Sequence, residues 1–405
     1  MIKAASILYA LLTTVIIAVF CYGLLLVFSL NNTLELKFKS NSKLININRS
    51  AQTIALQELA SSQDLLNDYY IKYTEGYTSS SKFKNWGIFS ICTVATSFHQ
   101  DSINTAYLLA KNQNQKIPAL YLRNNSEELK IAGKTTIEGD IYVSEQGVKK
   151  VNFQGNNISS DPAHKGNVFM SEKILPKVED LRLVYPEDFE LLNEEELDDR
   201  NIINMFQSKT MVIEVSSVLE NIALKGNIII RSEDTLLINN SAVLQDIIID
   251  APKIIFESGF VGNLQAYATS DIVLEENVHL EYPSVLFISS ELNEEKNLTC
   301  KKGSIIKGAI ILNGKSLLTE SSNKMLIDHN ATVYGSIYCD GVLSLYGIVK
   351  GSVMTSSLLH KTKTAEYTNL LLDANILAND IPENVFQIPL QSQLENQIDI
   401  VLKQI

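Results

Sequence analysis

From Ala4 to Leu34 the chain has no charged residue, and Leu, Ile, Val, Ala and Phe dominate Ile7 to Leu30. A helix needs roughly 20 apolar residues to cross about 30 Å of hydrocarbon, so the run predicts a spanning helix over residues 7–30 within an anchor of 1–40. A cleavable signal has a shorter apolar core, roughly 7–15 residues, closed by small residues at the cut. Ser29-Leu30-Asn31 offers no such site, and the bulky Phe20 before Cys21 argues against lipid attachment. The anchor is therefore expected to be retained. Leu44, Ile47, Ala51, Ile54, Leu59, Leu66 and Tyr69 then fall at helical intervals among Asn, Gln, Ser and Asp. That spacing predicts an amphipathic stalk helix over 41–75, ended by Gly76-Tyr77-Thr78-Ser79-Ser80-Ser81.

Beyond the stalk the period changes. Residues 76–128 are expected to be β-rich, with strands at Trp86–Phe98, Ala106–Ala110 and Ala119–Leu122, on their aromatic and β-branched content. Between 129 and 360 one pattern recurs: apolar, any, Gly, any, apolar. It centres on Gly139, Gly226, Gly262, Gly308, Gly335, Gly347 and Gly351. With 18 glycines, roughly two such matches are expected by chance, so seven imply a repeat. Apolar triplets lie between them: Ile228–Ile230, Leu236–Ile238, Ile247–Ile249, Ile254–Phe256, Ile272–Leu274 and Val285–Phe287. Strands so short and so closely spaced leave no room for crossover helices. The expected fold is mainly β: a parallel β-helix, or solenoid, behind an N-terminal transmembrane and stalk helix. Glycine would occupy its corners, where the backbone needs positive φ. A β-sandwich with glycine in its turns is the other reading.

An acidic insertion is expected at 179–204, with Glu187, Asp188, Glu190, Glu194–Glu196, Asp198 and Asp199 among apolar residues. It contains no glycine, which a calcium loop of the EF-hand kind needs at its turn, so no metal site is expected there. Pro382 and Pro389 punctuate the segment after 360, and 361–405 would form a C-terminal cap or tail.

The net charge of −12 and the lack of a basic patch exclude nucleic acid as an expected partner. Four cysteines, none in a CxxC pair, are too few for a disulfide framework. A Cys300–Cys339 bridge is open only in an oxidising compartment, and idle thiols are the simpler reading. His99, His164, His279, His329 and His360 form no metal-binding pair, and no cofactor motif occurs. Enzymatic activity is not expected. The one candidate cluster is Glu275, Glu276, His279 and Glu281, where paired carboxylates would suit a polysaccharide lyase or hydrolase. A solvated polar ridge is the plainer account.

The segment Ala331–Leu359, with Val333-Tyr334-Gly335-Ser336-Ile337 and Val349-Lys350-Gly351-Ser352-Val353, resembles the coils of bactofilins. These are polymer-forming cytoskeletal proteins, and the resemblance implies a right-handed β-helix and self-association. The whole layout is similar to uncharacterised bacterial membrane-anchored proteins through Lys3–Leu30, Trp86-Gly87 and the Ala132–Gly139 opening coil; this implies no activity. The N-terminal helix is loosely similar to that of pilins, without their processing glycine and early glutamate: the first acidic residue is Glu35.

Lys37, Lys39, Lys43 and Arg49 outnumber Lys3 across the membrane segment, a count that alone favours a cytoplasmic C-terminal domain. The short N-terminus and Asn-rich β domain favour export, which is the orientation adopted. The expected function is structural, adhesive or assembly work in the cell envelope, with a protein or polysaccharide partner. A polysaccharide-active enzyme and a minor pilin-like component are the alternatives.

Overall fold

The computed structural model describes residues 2–61, 69–72, 76–113, 117–153, 163–194, 200–290, 295–314, 323–380, 385–391 and 397–405. The chain divides into two compact units, one of residues 1–82 and 94–105, the other of 83–93 and 106–405.

The first unit is dominated by α1 (Ile2–Ser61), a continuous helix of 60 residues and so roughly 90 Å long. It is long and apolar enough to cross a membrane. Large apolar side chains from Ile7 to Leu30 are exposed along it, as are Leu34, Leu36 and Phe38 beyond. Only its last turns are covered, through Leu44, Asn48, Ala51, Ala55 and Leu59, one face at spacings of four and three. The amphipathic stalk is present, with its stripe displaced: Asn48 is buried, whereas Ile54 is exposed. Asn48 Nδ2 donates to the Val94 carbonyl and Thr96 Oγ1, both at 3.1 Å, and Oδ1 accepts Thr105 Oγ1 at 2.7 Å. A buried amide is tolerated there because its donors and acceptor are matched.

The helix does not reach residue 75 as expected. Tyr69–Lys72 is β1, paired antiparallel with Thr78–Ser81, as its aromatic and β-branched residues favour. Leu66, Tyr73 and residues 195–199 of the acidic insertion lie outside the described residues. Strands β2 (Thr78–Trp86), β3 (Phe89–Phe98) and β4 (Asp101–Gln113) follow. The expected single strand Trp86–Phe98 is thus broken by a turn, because Gly87 sits at φ +63. Sheet order is β1-β2-β3-β4 and then the C-terminal strand Gln397–Gln404, antiparallel to β4. Everything from residue 114 to 396 is inserted between two neighbouring strands of one sheet.

The insert is a large, solenoid-like parallel sheet. Its strands pair in the order Phe189–Asn193, Thr210–Glu214, Ile228–Arg231, Val243–Phe256, Val261–Leu274, His279–Ser290, Ile305–Gly314, Thr332–Leu345 and Ile348–Lys361. Ile348–Lys361 then pairs with Leu120–Leu122, which leads on to Ile141–Val143 and Val168–Met170. Side chains repeat in register, so Ile213, Ile230, Ile249, Ala266, Leu286, Ile310, Ile337, Val353, Leu120 and Ile141 form one column. All ten are buried in one apolar core. Such columns hold the insert together, each large aliphatic side chain contributing roughly 1.5–3 kcal/mol. Gly308, Gly335 and Gly351 are consecutive partners in this register, at φ +147, +139 and +159.

The chain enters this ladder in its middle. It climbs to one end at Val168–Met170, crosses the full length, and winds back from Phe189–Asn193 until it meets Leu120–Leu122. Among the described residues the ladder has twelve rungs, hence eleven steps of about 4.8 Å, or roughly 53 Å. The 18 residues 171–188 reach roughly 59–65 Å when fully extended, so this strap has little slack. It touches the rungs in order. The Glu172 amide donates to Tyr121 Oη at 3.1 Å, the Val178 amide to the Tyr338 hydroxyl, and Tyr185 Oη to Asp250 Oδ2 at 2.5 Å. Leu175, Val178 and Leu181 bury beside Tyr121, Tyr338, Ile311 and Phe287.

The structure distributes two expected segments differently. Of the acidic insertion, residues 179–188 belong to the strap, while Phe189–Asn193 and Asn201–Asn204 are ladder strands. Of the expected C-terminal cap, Asn375–Leu377 continues the ladder, pairing with Thr136–Glu138, and Leu370–Leu372 pairs with Lys130–Ala132 in a separate three-stranded sheet. Gln397–Gln404 joins β4 instead of covering a ladder end.

Candidate functional site

The acidic cluster singled out from sequence falls at the rim of the ladder, tied to the next rung by lysines. Glu275 accepts Lys301 Nζ on both carboxylate oxygens, at 2.7 and 2.6 Å, and Glu281 pairs with Lys307 at 2.6 Å. Glu276 is exposed, and its carbonyl accepts Ser258 Oγ at 2.8 Å. His279 is half-buried on a strand between Val261 and Ile305. Lys165–Glu138 and Lys149–Glu128 repeat the arrangement elsewhere. These contacts join rungs, and each exposed pair contributes about 0.2–1 kcal/mol.

Among the described residues, open clefts border the ladder. One, of about 560 Å³, is lined by Glu194, Glu214, Glu233 and Asp234 with Arg231. No group of three or more His, Cys, Asp or Glu among the described residues could hold a metal ion. The other, about 520 Å³, lies beside the strap and carries Arg123, Lys173 and Lys177 opposite Asn313 and Asp340. All four cysteines are free. Burial pushes the Cys300 thiol up to about 12 and raises that of Cys339 as well, which leaves both unreactive.

Residues that sequence reasoning missed position the Trp86-Gly87 turn on the ladder. Gln265 Nε2 donates to the Trp86 carbonyl at 2.8 Å, and its Oε1 accepts the Ile88 amide at 2.9 Å. A Cβ on Gly87 would lie 2.3 Å from Gln265 Oε1, so a side chain there would push Gln265 off the turn, at a φ of +63 that already favours glycine. Beside it Lys84 Nζ lies 5.5 Å from the Trp86 ring centre and 5.4 Å from that of Phe206, and donates to Asn227 Oδ1 at 3.0 Å. Burial pushes the Lys84 ammonium down to about 8. A Gln or Asn inside a β-branched run was the one available signal, and it does not name its partner.

The Lys84 shift sets a pH dependence. The folded state gives up this proton near pH 8 and the unfolded chain near 10.4. Between those values the unfolded state binds more protons, so stability rises with pH there and is flat below. Lys84→Met is expected to abolish that rise and to stabilise the protein by about 1–2 kcal/mol at pH 7. Asn227 Oδ1 keeps Thr210 Oγ1 at 2.9 Å, so no acceptor is orphaned. Urea unfolding at pH 7 and pH 10 checks both statements; equal slopes against pH in the two proteins would contradict them.

Both end rungs of the ladder expose apolar side chains. The core column through Leu120 and Ile141 (both fully buried) ends on Val168, 51% exposed. That through Leu122 and Val143 ends on Met170, 70% exposed. The outward column stacks Tyr121 on Tyr142 and Tyr142 on Phe169, with ring centres 5.4 and 5.1 Å apart. Among the described residues Val168–Met170 pairs only with Ile141–Val143. At the opposite end the column that ends on Val168 runs through Ile230 and Ile213 to Leu192, the column of Ile228 and Met211 closes on the exposed carboxylate Glu190, and Phe189 and Leu191 of the same rung are exposed.

No family model matches the chain, and no curated protein does. A match among solved structures is the crystal structure of competence-associated pilin ComZ from Thermus thermophilus. It is 9% identical, with 84% of this chain and 86% of that chain covered, and a TM-score of 0.19. Superposition that poor carries no argument for fold or function.

Proposed function

We propose that the protein is a membrane-anchored, non-enzymatic subunit of a cell-envelope assembly, built on the plan of a minor pilin. Its β domain, read as a true solenoid of stacked coils, would be the surface presented outside the membrane. The observation that carries this reading is the helix. About 20 residues suffice to span the hydrocarbon, yet α1 leaves its apolar side chains uncovered as far as Phe38 and packs only from Leu44 onward. Leu34, Leu36 and Phe38 are apolar surface beyond the spanning segment, where lipid tails no longer supply partners, and they suit contact with neighbouring helices. The carboxylates weighed for sugar chemistry are engaged by lysines of the next rung, which favours a structural part for them over catalysis.

A photo-crosslinking residue at Leu36 or Phe38, introduced into the full chain in its own cells, tests the reading. Adducts to the N-terminal apolar helix of another envelope protein, identified by mass spectrometry, are expected. Adducts to lipid alone, or none, would remove the assembly role.

A further inference from the structure

We infer that Lys84 and Asn227 are a self-crosslinking pair, in which the lysine amine displaces ammonia from the asparagine side chain and leaves a covalent amide between β2 and the ladder. The two residues are 143 apart in the chain, yet Lys84 Nζ lies 3.0 Å from Asn227 Oδ1. A C=O bond is about 1.23 Å long, so the carbonyl carbon is no more than about 4.2 Å from that nitrogen. A small side-chain rotation brings it to the roughly 3–3.5 Å of a reacting pair. The electrophile is held in place: Asn227 is fully buried, and its Nδ2 donates to the Ser208 carbonyl at 2.8 Å. Its backbone N–H donates to the Asn204 carbonyl at 2.9 Å. Thr210 Oγ1 donates to Oδ1 at 2.9 Å, which polarises the carbonyl and steadies the oxyanion of the tetrahedral adduct. The nucleophile differs from Lys301 and Lys307, which carboxylates of the neighbouring rung hold as ammonium. No carboxylate among the described residues pairs with Lys84, which lies between the Trp86 and Phe206 rings. Burial pushes its ammonium down to about 8, so about a tenth is free amine at pH 7.

In the reaction Nζ bonds to Cγ, the Cγ–Nδ2 bond breaks, one Nζ proton passes to Nδ2, and ammonia departs. The step is redox-neutral and needs no co-reactant. Amide exchange is slow between free molecules, but partners held in contact gain effective molarities of about 10⁵–10⁸ M. The bond need form only once in the life of a chain. The rise of stability with pH and the Lys84→Met gain given above belong to chain whose amine is still free, and are measured on fresh protein of full mass.

The test is the intact mass of the full chain, purified from its membrane and measured fresh and after several days at mildly alkaline pH. The aged natural chain should be lighter by one ammonia, and digestion should release a branched peptide joining Lys84 to Asn227. Lys84→Arg, which keeps a cation between the two rings, should hold its full mass under the same treatment. A natural chain that keeps its full mass would overturn the proposal. Ammonia lost equally from Lys84→Arg, with no branched peptide, would overturn it too, because an asparagine would then be cyclising on its own backbone. Either failure leaves the helix adducts at Leu36 and Phe38 untouched, so the assembly reading is judged separately.

Discussion

Gly335→Val is expected to lower the stability of the ladder by about 3 kcal/mol or more, because no rearrangement of one side chain can accommodate it. A Cβ at residue 335 would stand 1.9 Å from the Gly308 carbonyl oxygen and 2.9 Å from its carbon, which are backbone atoms fixed by the ladder. The residue also sits at φ +139, where side chains other than glycine are strained. Gly351 has the same relation to Gly335, at 1.7 Å, so three successive rungs approach one another through their glycines. Gly147 is the control. It has φ +71 but nothing within 4 Å of its Cβ position, and Gly147→Ala should cost only about 1 kcal/mol. Urea unfolding followed by fluorescence of Trp86, the one tryptophan, would separate the two. Equal costs would mean that the close approach contributes nothing.

Deleting four residues of the strap between Glu172 and Tyr185 should detach one end of the ladder. Fourteen residues reach about 46 Å at full extension, short of the roughly 53 Å the strap must cover. The rung with least to lose is Phe189–Asn193, which among the described residues pairs on one side only, with Thr210–Glu214. Amide exchange in Thr210–Glu214 should rise at least about tenfold, on the order of 1.4 kcal/mol. Inserting four Gly-Ser residues between Glu187 and Asp188 should leave it unchanged, because extra length costs only loop entropy. If deletion and insertion have the same effect, reach is not what limits the strap.

Much of this architecture was legible because it rests on local patterns. The uncharged run, the stalk stripe, the spaced glycines and the isoleucine triplets each report a period that the backbone geometry imposes. Gly308, Gly335 and Gly351 appeared as equivalent motifs and are register partners. What escaped was set by contacts distant in sequence. Nothing near residue 180 says that the chain must cross twelve rungs before it re-enters the sheet. Pairing of Val353 with Leu120, and of Ile400 with Ala110, joins segments that share no motif. Asn48 and Gln265 read as polar interruptions in apolar patterns, and only the carbonyls and amides that surround them give them their roles. The acidic cluster was visible as a cluster, but Lys301 and Lys307, 26 residues beyond Glu275 and Glu281, enter it only through the repeat length. The exposed core ends at Val168 and Met170 were hidden for the same reason, since the sequence does not mark which rung is last.

The proposed role requires that the apolar helix hold the β domain at the outer face of a membrane. It is tested most directly by labelling Glu276→Cys, an exposed position on the ladder, with a small membrane-impermeant maleimide on intact cells. The native cysteines should stay silent, since three are buried in the protein and Cys21 lies within the apolar run proposed to span the membrane. The introduced thiol is expected to be labelled without permeabilisation, on protein that remains in the alkaline-washed membrane pellet. Labelling only after the membrane is opened, or on protein released from the pellet, would contradict it.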